Sequence, residues 1–556
     1  MAFQLSPGVQ VTEKDLTSVV PAVGTSIGGT AGDFIWGPAN EIVTISSENE
    51  LVSRFGLPPV VGTTYREWFA AASFLSYTGA LKIVRAIDTS AALNAGATAG
   101  VLIENEDKYI STASFVNGMW AAKYPGAIGN SLRVSFADAA DFATWAYKDQ
   151  FDYAPSDSTF VAAAGGSNDE LHIIVVDVSG YFTGTAGTVL EKFAGVSKAS
   201  DATDSVGRSN YYKTVINQRS EYVWWTNHPA DVGNDWGTLS SGGAYTSDAT
   251  VAEASVTLTL GANGVTDDAD LQTAYTLFAN DELVDVNLIF VGSASATVGD
   301  YVIDNVAEVR KDCMVFVSPA AASVLDNVGS EASSIVAEVS SYTRSSFAVF
   351  DSGWKYMYNR YYDQFIWVPC NGDVAGVCAA TDASADPWFS PAGYNRGAIK
   401  NAVKLAYSPN KTDRDTLYKS GVNPIVGFPG SGIVLFGDKT LLEKPSAFDR
   451  INVRRLFITL EKAIATAAKF QLFEFNDAFT RAQFKNLVEP FLRDVQGRRG
   501  VYDFRVICDG TNNGTAVVDG NRFVADIFIQ PAKSINFIQL NFVATRSGIS
   551  FEEVGA

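Results

Sequence analysis

The negative charge of this chain is concentrated in one stretch, and that unevenness constrains its architecture more than any motif. Residues 101–300 hold 26 Asp and Glu against 9 Lys and Arg, a net of −17. The rest of the chain holds 35 against 32, a net of only −3. With 556 residues, and about 150 per domain, several domains are expected. The acidic stretch is rich in Gly, Ala, Ser and Thr. Its strand-like pieces, Leu132–Phe136, Leu171–Val178, Tyr222–Trp225 and Val256–Leu260, are short and irregularly spaced. It reads as one or two β-rich inserted domains with a solvated surface, whose charge serves solubility. Hydrophobic residues make up 47% of the chain and charged residues 18%, which excludes global disorder. A formal charge of −20 argues against a nucleic-acid coat, because phosphate contacts need clustered Lys and Arg.

Material for chemistry is scarce. There are two histidines, His172 and His228, and four cysteines, Cys313, Cys370, Cys378 and Cys508, without CxxC spacing. Both histidines read as structural, and the cysteines as buried free thiols of a protein made in a reducing cytoplasm. The opening MAFQLSPGVQVTEKD has no basic segment and no apolar core, so no secretory signal is expected. Apolar runs such as Ile173–Val176 and Ile433–Phe436 are far too short to span a bilayer. The stretch Gly427–Thr440 has the glycine spacing of a phosphate loop. However, Asp438 stands where its lysine should follow, so a tight turn into a strand is expected. Asp373, Asp382 and Asp386, near Trp388 and Phe389, admit a sugar-hydrolase reading, although carboxylates among Gly, Pro and Ser are more often turn formers. The triplet Asp267, Asp268 and Asp270 lacks the glycine and glutamate of a calcium loop. No metal or cofactor is expected.

The remaining pattern is α/β and then α+β. Val286–Val291 and Cys313–Val317 read as buried strands around a helix-like Thr297–Lys311, the order of a βαβ unit. Ile27–Trp36, Tyr65–Ser76 and Leu81–Ala86 repeat that style and belong with it. Further on, Ser446–Gly500 carries 10 basic against 6 acidic residues, a net of +4 in an acidic chain. Its first helix, Asn452–Phe470, has Val453, Leu456, Phe457, Leu460 and Ile464 on one stripe. Its second is expected to begin at Thr480 with Gln483 as capping partner, to kink or restart at Pro490, and to stop at Gly497. Strands Val501–Cys508, Arg522–Gln530 and Ile535–Thr545 follow, the first two joined by a long Asp- and Gly-rich hairpin connection.

Each end carries a short alternating strand outside this pattern, with Val9 and Val11 at the start and Ile549 and Phe551 at the finish. Isolated strands of this length are marginal: they either fray as chain ends or gain stability by adding to a neighbour's sheet edge. Head-to-tail donation that does not close yields a helical filament.

Several blocks resemble the tail sheath proteins of contractile-tailed bacteriophages of the large myovirus type. These are LSPGVQVTEKD, FIWGPANEIVTISSENELVSRFG, LKIVRAID, KDCMVFVSP and VPCNGDVAGVCAATDASADPWFSPAGYNRG, then NPIVGFPGSGIVLFGDKTL, INVRRLFITLEKAI and FKNLVEPFLRDVQGRRGVYDFRVICDGTNN. They cover roughly residues 1–90 and 310–556; the acidic segment matches nothing in the family pattern. The resemblance implies a structural, non-enzymatic subunit of the virion, assembled in the host cytoplasm as six-membered rings stacked helically around a tail tube. Contraction then drives the tube through the host envelope for genome delivery. Its partners would be further copies of itself, the tail tube protein, and baseplate and tail terminator proteins, without nucleic-acid binding or membrane insertion. The expected layout has five parts: an arm at 1–20; a middle α/β domain from 21–92 with 286–440; a variable outer insertion at 93–285; a tube-facing α+β core at 441–545; and an arm at 546–556. Arg481, Lys485, Arg493, Arg498 and Arg499 are the candidates for meeting the tube. A non-contractile lattice or tube protein and a surface polysaccharide hydrolase remain as other readings.

Overall fold

Strands buried on both faces need apolar side chains throughout, and the middle of the chain supplies them. In the computed structural model, Leu288–Phe290, Met314–Val317 and Ala348–Asp351 are fully buried strands of a seven-stranded sheet. The model describes residues 24–536 and 539, apart from 60, 61, 63, 233, 234, 249–253 and 431. Across the sheet the order is Val422–Asn423, Ala348–Asp351, Met314–Val317, Leu288–Phe290, Gly28–Gly32, Leu81–Arg85 and Ile42–Ile45. Every neighbouring pair is parallel except the last. The mixed α/β class expected from the βαβ order is therefore present. The helix-like segment after Leu288–Phe290 is broken, however. A helix at Ala296–Val302 widens into a π-helical turn at Ile303–Ala307 before ending at Lys311 in the left-handed conformation.

One helix of this layer was illegible as such. Asn371–Ser384 is a 14-residue helix, not the run of turns suggested by its Gly, Asp and Ser. It is nearly all buried, and its small residues are what let it approach the Tyr65–Leu75 helix. A Cβ on Gly372 would lie 2.4 Å from the Ala70 carbonyl oxygen, and one on Gly376 would lie 2.4 Å from the Tyr77 ring. Glycine's helix penalty of about 1 kcal/mol is accepted here in exchange for close packing.

The acidic segment has its own sheet and its own core. Thr188–Ser197, Glu170–Asp177, Leu132–Ala137 and Ser255–Thr257 lie antiparallel in that order. Trp120, Phe136, Tyr212 and Trp236 pack in an apolar cluster separate from that of the seven-stranded sheet. The ten-residue strand Thr188–Ser197 escaped the sequence reading because its first half mixes Thr188, Glu191 and Lys192 with Val189 and Leu190 and is not fully buried.

Two compact units emerge. Ala22–Pro387 with Pro391–Lys462 forms one, which includes the acidic segment; Trp388–Ser390 with the chain from Ala463 onward forms the other. Within the second, the Ala478–Gly497 helix packs on Val501–Ile507, which pairs antiparallel with Asp526–Pro531. The connection between these strands holds a short helix, Thr515–Asp519. Asn513 closes it by exchanging two 2.8 Å hydrogen bonds with the Val524 backbone. Val9, Val11, Ile549, Phe551 and most of the expected strand 535–545 lie outside the described residues.

Burial at the ends of the parallel strands has a measurable consequence. Asp351 is buried and accepts hydrogen bonds from Ser318 Oγ at 2.7 Å and Gly353 N at 2.8 Å. Desolvation nevertheless pushes its carboxyl up to about 8. The native state therefore holds a proton that the unfolded chain releases near pH 4, so stability falls as pH rises from about 4 to about 8. Asp351→Asn is expected to gain in thermal midpoint over the wild type as pH rises from 5 to 8.5. An unchanged difference between the two proteins across that range would refute it.

Candidate functional site

The positions that invited chemistry are committed to structure. Asp373 pairs with Lys355 at 2.8 Å and Asp382 with Arg455 at 2.6 Å, with all four side chains buried. Nine residues apart on one helix, the two carboxylates are separated by roughly 13 Å along its axis. A glycosidase pair needs about 5–9.5 Å. The glycines of 427–437 lie in and beside a hairpin, Ile425–Phe428 against Gly432–Leu435, and Asp438 pairs with Arg450. Asp267 caps the Asp268–Thr276 helix in a capping box with Asp270. His172 is fixed between the Tyr153 carbonyl and the Gly195 amide. His228 lies between the Tyr211 and Tyr212 hydroxyls, and burial pushes its imidazole down to about 4, which keeps it neutral. The four cysteines are free and buried, and desolvation raises the Cys313 thiol to about 12. Among the described residues no cluster of three or more His, Cys, Asp or Glu side chains could hold a metal. No helix among them is long and apolar enough to cross a membrane.

The basic candidates lie on and beyond the Ala478–Gly497 helix. Asp477, not Thr480, is its N-cap: the carboxylate accepts the Thr480 amide at 2.8 Å, and that bond holds the carboxyl below its ordinary range. The helix runs through Pro490 without a break. The hydrogen bond that proline forgoes would have gone to the Asn486 carbonyl, and both residues are exposed, so water can take its place. The stop also lies further on than expected. Gly497 is still helical, and the left-handed residue is Arg499, with φ of 67°. Gly500 is buried against Val495 and Trp388, so the glycine meets a packing need there.

Phe484, Leu487, Val488, Leu492 and Val495 form the buried stripe of this helix. At 100° per residue, Arg493 lies opposite that stripe, Lys485 at its edge, and Arg481 in line with it one turn before Phe484. Lys485 is 3.6 Å from Glu489, and Arg498 is 3.6 Å from Asp494, both at the surface. Arg481 donates to the Asn476 side chain at 2.9 Å. Arg498 accepts the Trp388 indole N–H at its carbonyl and holds its guanidinium 5.2 Å from that ring. The five cations therefore ring the helix and its end and do not share one face. Ahead of the helix, the turn after Ala468 exposes Phe470, Leu472, Phe473 and Phe475, and the helix's own first turn exposes Phe479. The pattern FQLFEFNDAF was the available signal, because its apolar residues fall outside either helical stripe.

The phage tail sheath protein central domain family matches residues 260–441, and the phage tail sheath C-terminal domain family matches 443–545. The tail sheath protein of Vibrio phage KVP40 is 33% identical over 99% of this chain and 99% of its own length. That of Enterobacteria phage T4 is 31% identical over the same shares. Among solved structures, the sheath tail protein of Listeria innocua is similar in fold, with a TM-score of 0.54 at 14% identity over 92% of this chain and 93% of that one. With about one-third identity along the whole of both chains, and both sheath domain families matched in order, this chain belongs to the phage tail sheath protein family.

Proposed function

We propose that the chain polymerises as six-membered rings stacked helically around a tail tube, is held extended until a baseplate signal, and contracts to drive the tube through the host envelope. The observation that carries this reading is the Val501–Ile507 and Asp526–Pro531 pair. It is a two-stranded sheet, and neither outer edge pairs with a further strand among the described residues. Such a ribbon is marginal alone and ready to accept strands. The arms at 1–20 and 546–556, through Val9, Val11, Ile549 and Phe551, supply them from neighbouring copies. Because each copy both gives and receives at different surfaces, the contact does not close, and a helix results. Contraction requires two packings of one subunit separated by a barrier, with the arms as tethers while the bodies move. No catalysis or cofactor enters the cycle.

The acidic segment, about 93–285, lies at the outer radius in this reading, and the 441–545 core faces the tube. Tail tube, baseplate and terminator proteins complete the partners, and the location is the virion after assembly in the host cytoplasm. Electron microscopy of the purified chain tests the whole reading. Hollow tubes of stacked rings with the insertion outermost are expected; flat sheets or closed shells would identify a different lattice protein.

The tube contact is expected to be weak and ionic. Arg493, Arg498 and Arg499 are exposed and Arg481 and Lys485 half-buried in a segment of net +4, and exposed ion pairs contribute about 0–1 kcal/mol each. Many such contacts guide a sheath without locking it. Replacing Lys485, Arg493 and Arg498 together by Glu is expected to spare tubes of sheath alone. It should weaken coating of tail tubes by about tenfold or more at low salt. Normal coating by that variant would assign the contact to another surface.

A further inference from the structure

We infer that Lys198 and Asp138, in the acidic segment, join through their side chains in an amide bond that the fold makes for itself, with Asp248 moving the proton. Lys198 Nζ lies 2.7 Å from Asp138 Oδ2, with 0% and 4% of the two side chains exposed. The ammonium also reaches the Asn168 and Thr246 carbonyls at 3.1 and 3.2 Å, and the Trp236 ring lies 4.8 Å away. Lysine is almost never buried this fully unless paired. Its backbone is fixed as well. The Lys198 amide donates to the Asp169 carbonyl at 2.8 Å, and its carbonyl accepts the Gly237 amide at 2.9 Å. The amine nitrogen is thus held one carbon–oxygen bond beyond contact with the Asp138 carboxyl carbon, near the ~3–3.5 Å of atoms poised to react.

A third buried group sets this pair apart from an ordinary ion pair. Asp138 N donates to Asp248 Oδ2 at 2.7 Å and Asp248 N to Asp138 Oδ2 at 2.9 Å, which locks the two carboxyls side by side. Asp248 is 1% exposed, and no donor among the described residues reaches its Oδ1. Its side chain is hydrogen-bonded to that of Asp138, and two carboxyls can share such a bond only through a proton. Burial, then the hydrogen bond and charge of Asp138, raise the Asp248 carboxyl to about 8, so Asp248 carries that proton at neutral pH. The other buried lysine pair differs here. Asp373 is bound by Lys355 and Tyr77, and no second carboxyl among the described residues is hydrogen-bonded to it.

The reaction is a condensation with no change of oxidation state. In so dry a site the ammonium proton crosses to Asp138, leaving an amine beside a carboxylic acid. The amine lone pair attacks the Asp138 carboxyl carbon while the Asp248 acid polarises a carboxyl oxygen. As the Nζ–Cγ bond forms, the nitrogen gives one proton to Asp248. Asp248 returns one to the departing hydroxyl, the Cγ–O bond breaks, and water leaves. Asp248 ends protonated, as it began. The amide replaces two buried charges and so removes their desolvation cost. Asp138 follows the Leu132–Ala137 strand and Lys198 follows Thr188–Ser197, and both strands flank Glu170–Asp177. The bond therefore ties the two outer neighbours of one strand together and closes a covalent loop, which restricts the unfolded chain as a disulfide does.

The test is intact-mass spectrometry of the purified full chain, followed by proteolysis and peptide sequencing. The wild type is expected to be lighter than its sequence requires by one water, with Lys198 and Asp138 in one branched peptide. Asp248→Asn, which cannot move the proton, is expected to hold at least about tenfold less of that peptide. Lys198→Met is expected to keep the full mass. On denaturing electrophoresis the wild type, with its closed loop, is expected to run ahead of both variants. A wild type of full sequence mass overturns the inference, whether or not the variants fold. The branched peptide at wild-type yield in Asp248→Asn would overturn the role of Asp248. Loss of water by Lys198→Met to the same extent as by the wild type would place the dehydration elsewhere and overturn the bond.

Discussion

A chain lacking residues 1–20, or one lacking residues 546–556, is expected to stay soluble and folded and to form no tubes. Val9 and Val11 alternate with Gln10 and Thr12, and Ile549 and Phe551 with Ser550 and Glu552. Such strands present apolar side chains to one face and backbone groups to a neighbour's edge. The Val501–Ile507 and Asp526–Pro531 ribbon offers edges of matching length. Each backbone hydrogen bond adds about 0.5–1.5 kcal/mol net, so a strand making four or five of them adds several kcal/mol per neighbour. Assembly repeats that contact in every subunit, so its loss raises the critical concentration by several powers of ten. The apolar clusters described above are built from residues outside the arms, which is why the body should keep its melting behaviour. Electron microscopy and sedimentation of the two truncated chains check the expectation. Tubes of normal length from both would refute the tether role.

What the sequence made legible follows from how local each signal is. Apolar runs reported the buried strands Leu288–Phe290 and Met314–Val317 because a strand covered on both faces has no other composition available. Periodicity reported the Ile451–Ala468 helix to within two residues of each end. The Asn371–Ser384 helix stayed hidden because its glycines answer to Ala70 and Tyr77, some 300 residues away in the chain. Thr480 was an acceptable cap on local chemistry, yet Asp477 won because its carboxylate reaches the Thr480 amide and adds a turn to the helix. The buried pairs were invisible for the same reason as the glycines. Lys355 and Asp373 are 18 residues apart, and Arg455 and Asp382 are 73 apart, and no local pattern links them. At the candidate surface, charge counting found the cations but not the aromatic turn, because an exposed phenylalanine looks like a core residue until the packing is known.

The hidden pairs carry the other large expected effect. Lys355 Nζ is bound by Asp373 at 2.8 Å and by the Lys400 carbonyl at 3.2 Å, with 1% and 0% of the two ion-pair side chains exposed. Tyr77 donates to the same carboxylate at 3.2 Å and accepts the Lys400 amide at 2.7 Å. Desolvation raises the Asp373 carboxyl, and the Lys355 ammonium opposes that rise. Removing one partner leaves the other charge buried without compensation. Asp373→Ala and Lys355→Ala are therefore each expected to destabilise the larger unit by about 3–5 kcal/mol, a large share of the ~5–15 kcal/mol that holds a domain folded. Replacing both together, Lys355→Met with Asp373→Asn, removes both charges and their desolvation costs at nearly unchanged volume, so it is expected to cost less than either single change. The Tyr77 hydroxyl keeps an outlet in that double variant, because the Ala398 carbonyl lies 3.4 Å away. Urea unfolding of the unassembled chain at neutral pH measures the three variants side by side. Single variants within about 1 kcal/mol of wild type would mean that water reaches the site and screens the remaining charge. A double variant worse than both singles would mean that the pair contributes more than it costs to bury. The pair fastens the small-residue helix to the Trp354–Asn359 strand, deep in the unit that contains the seven-stranded sheet. A subunit that must shift between two packings transmits force only if such elements move together, so the single variants are also expected to lower the yield of intact tubes.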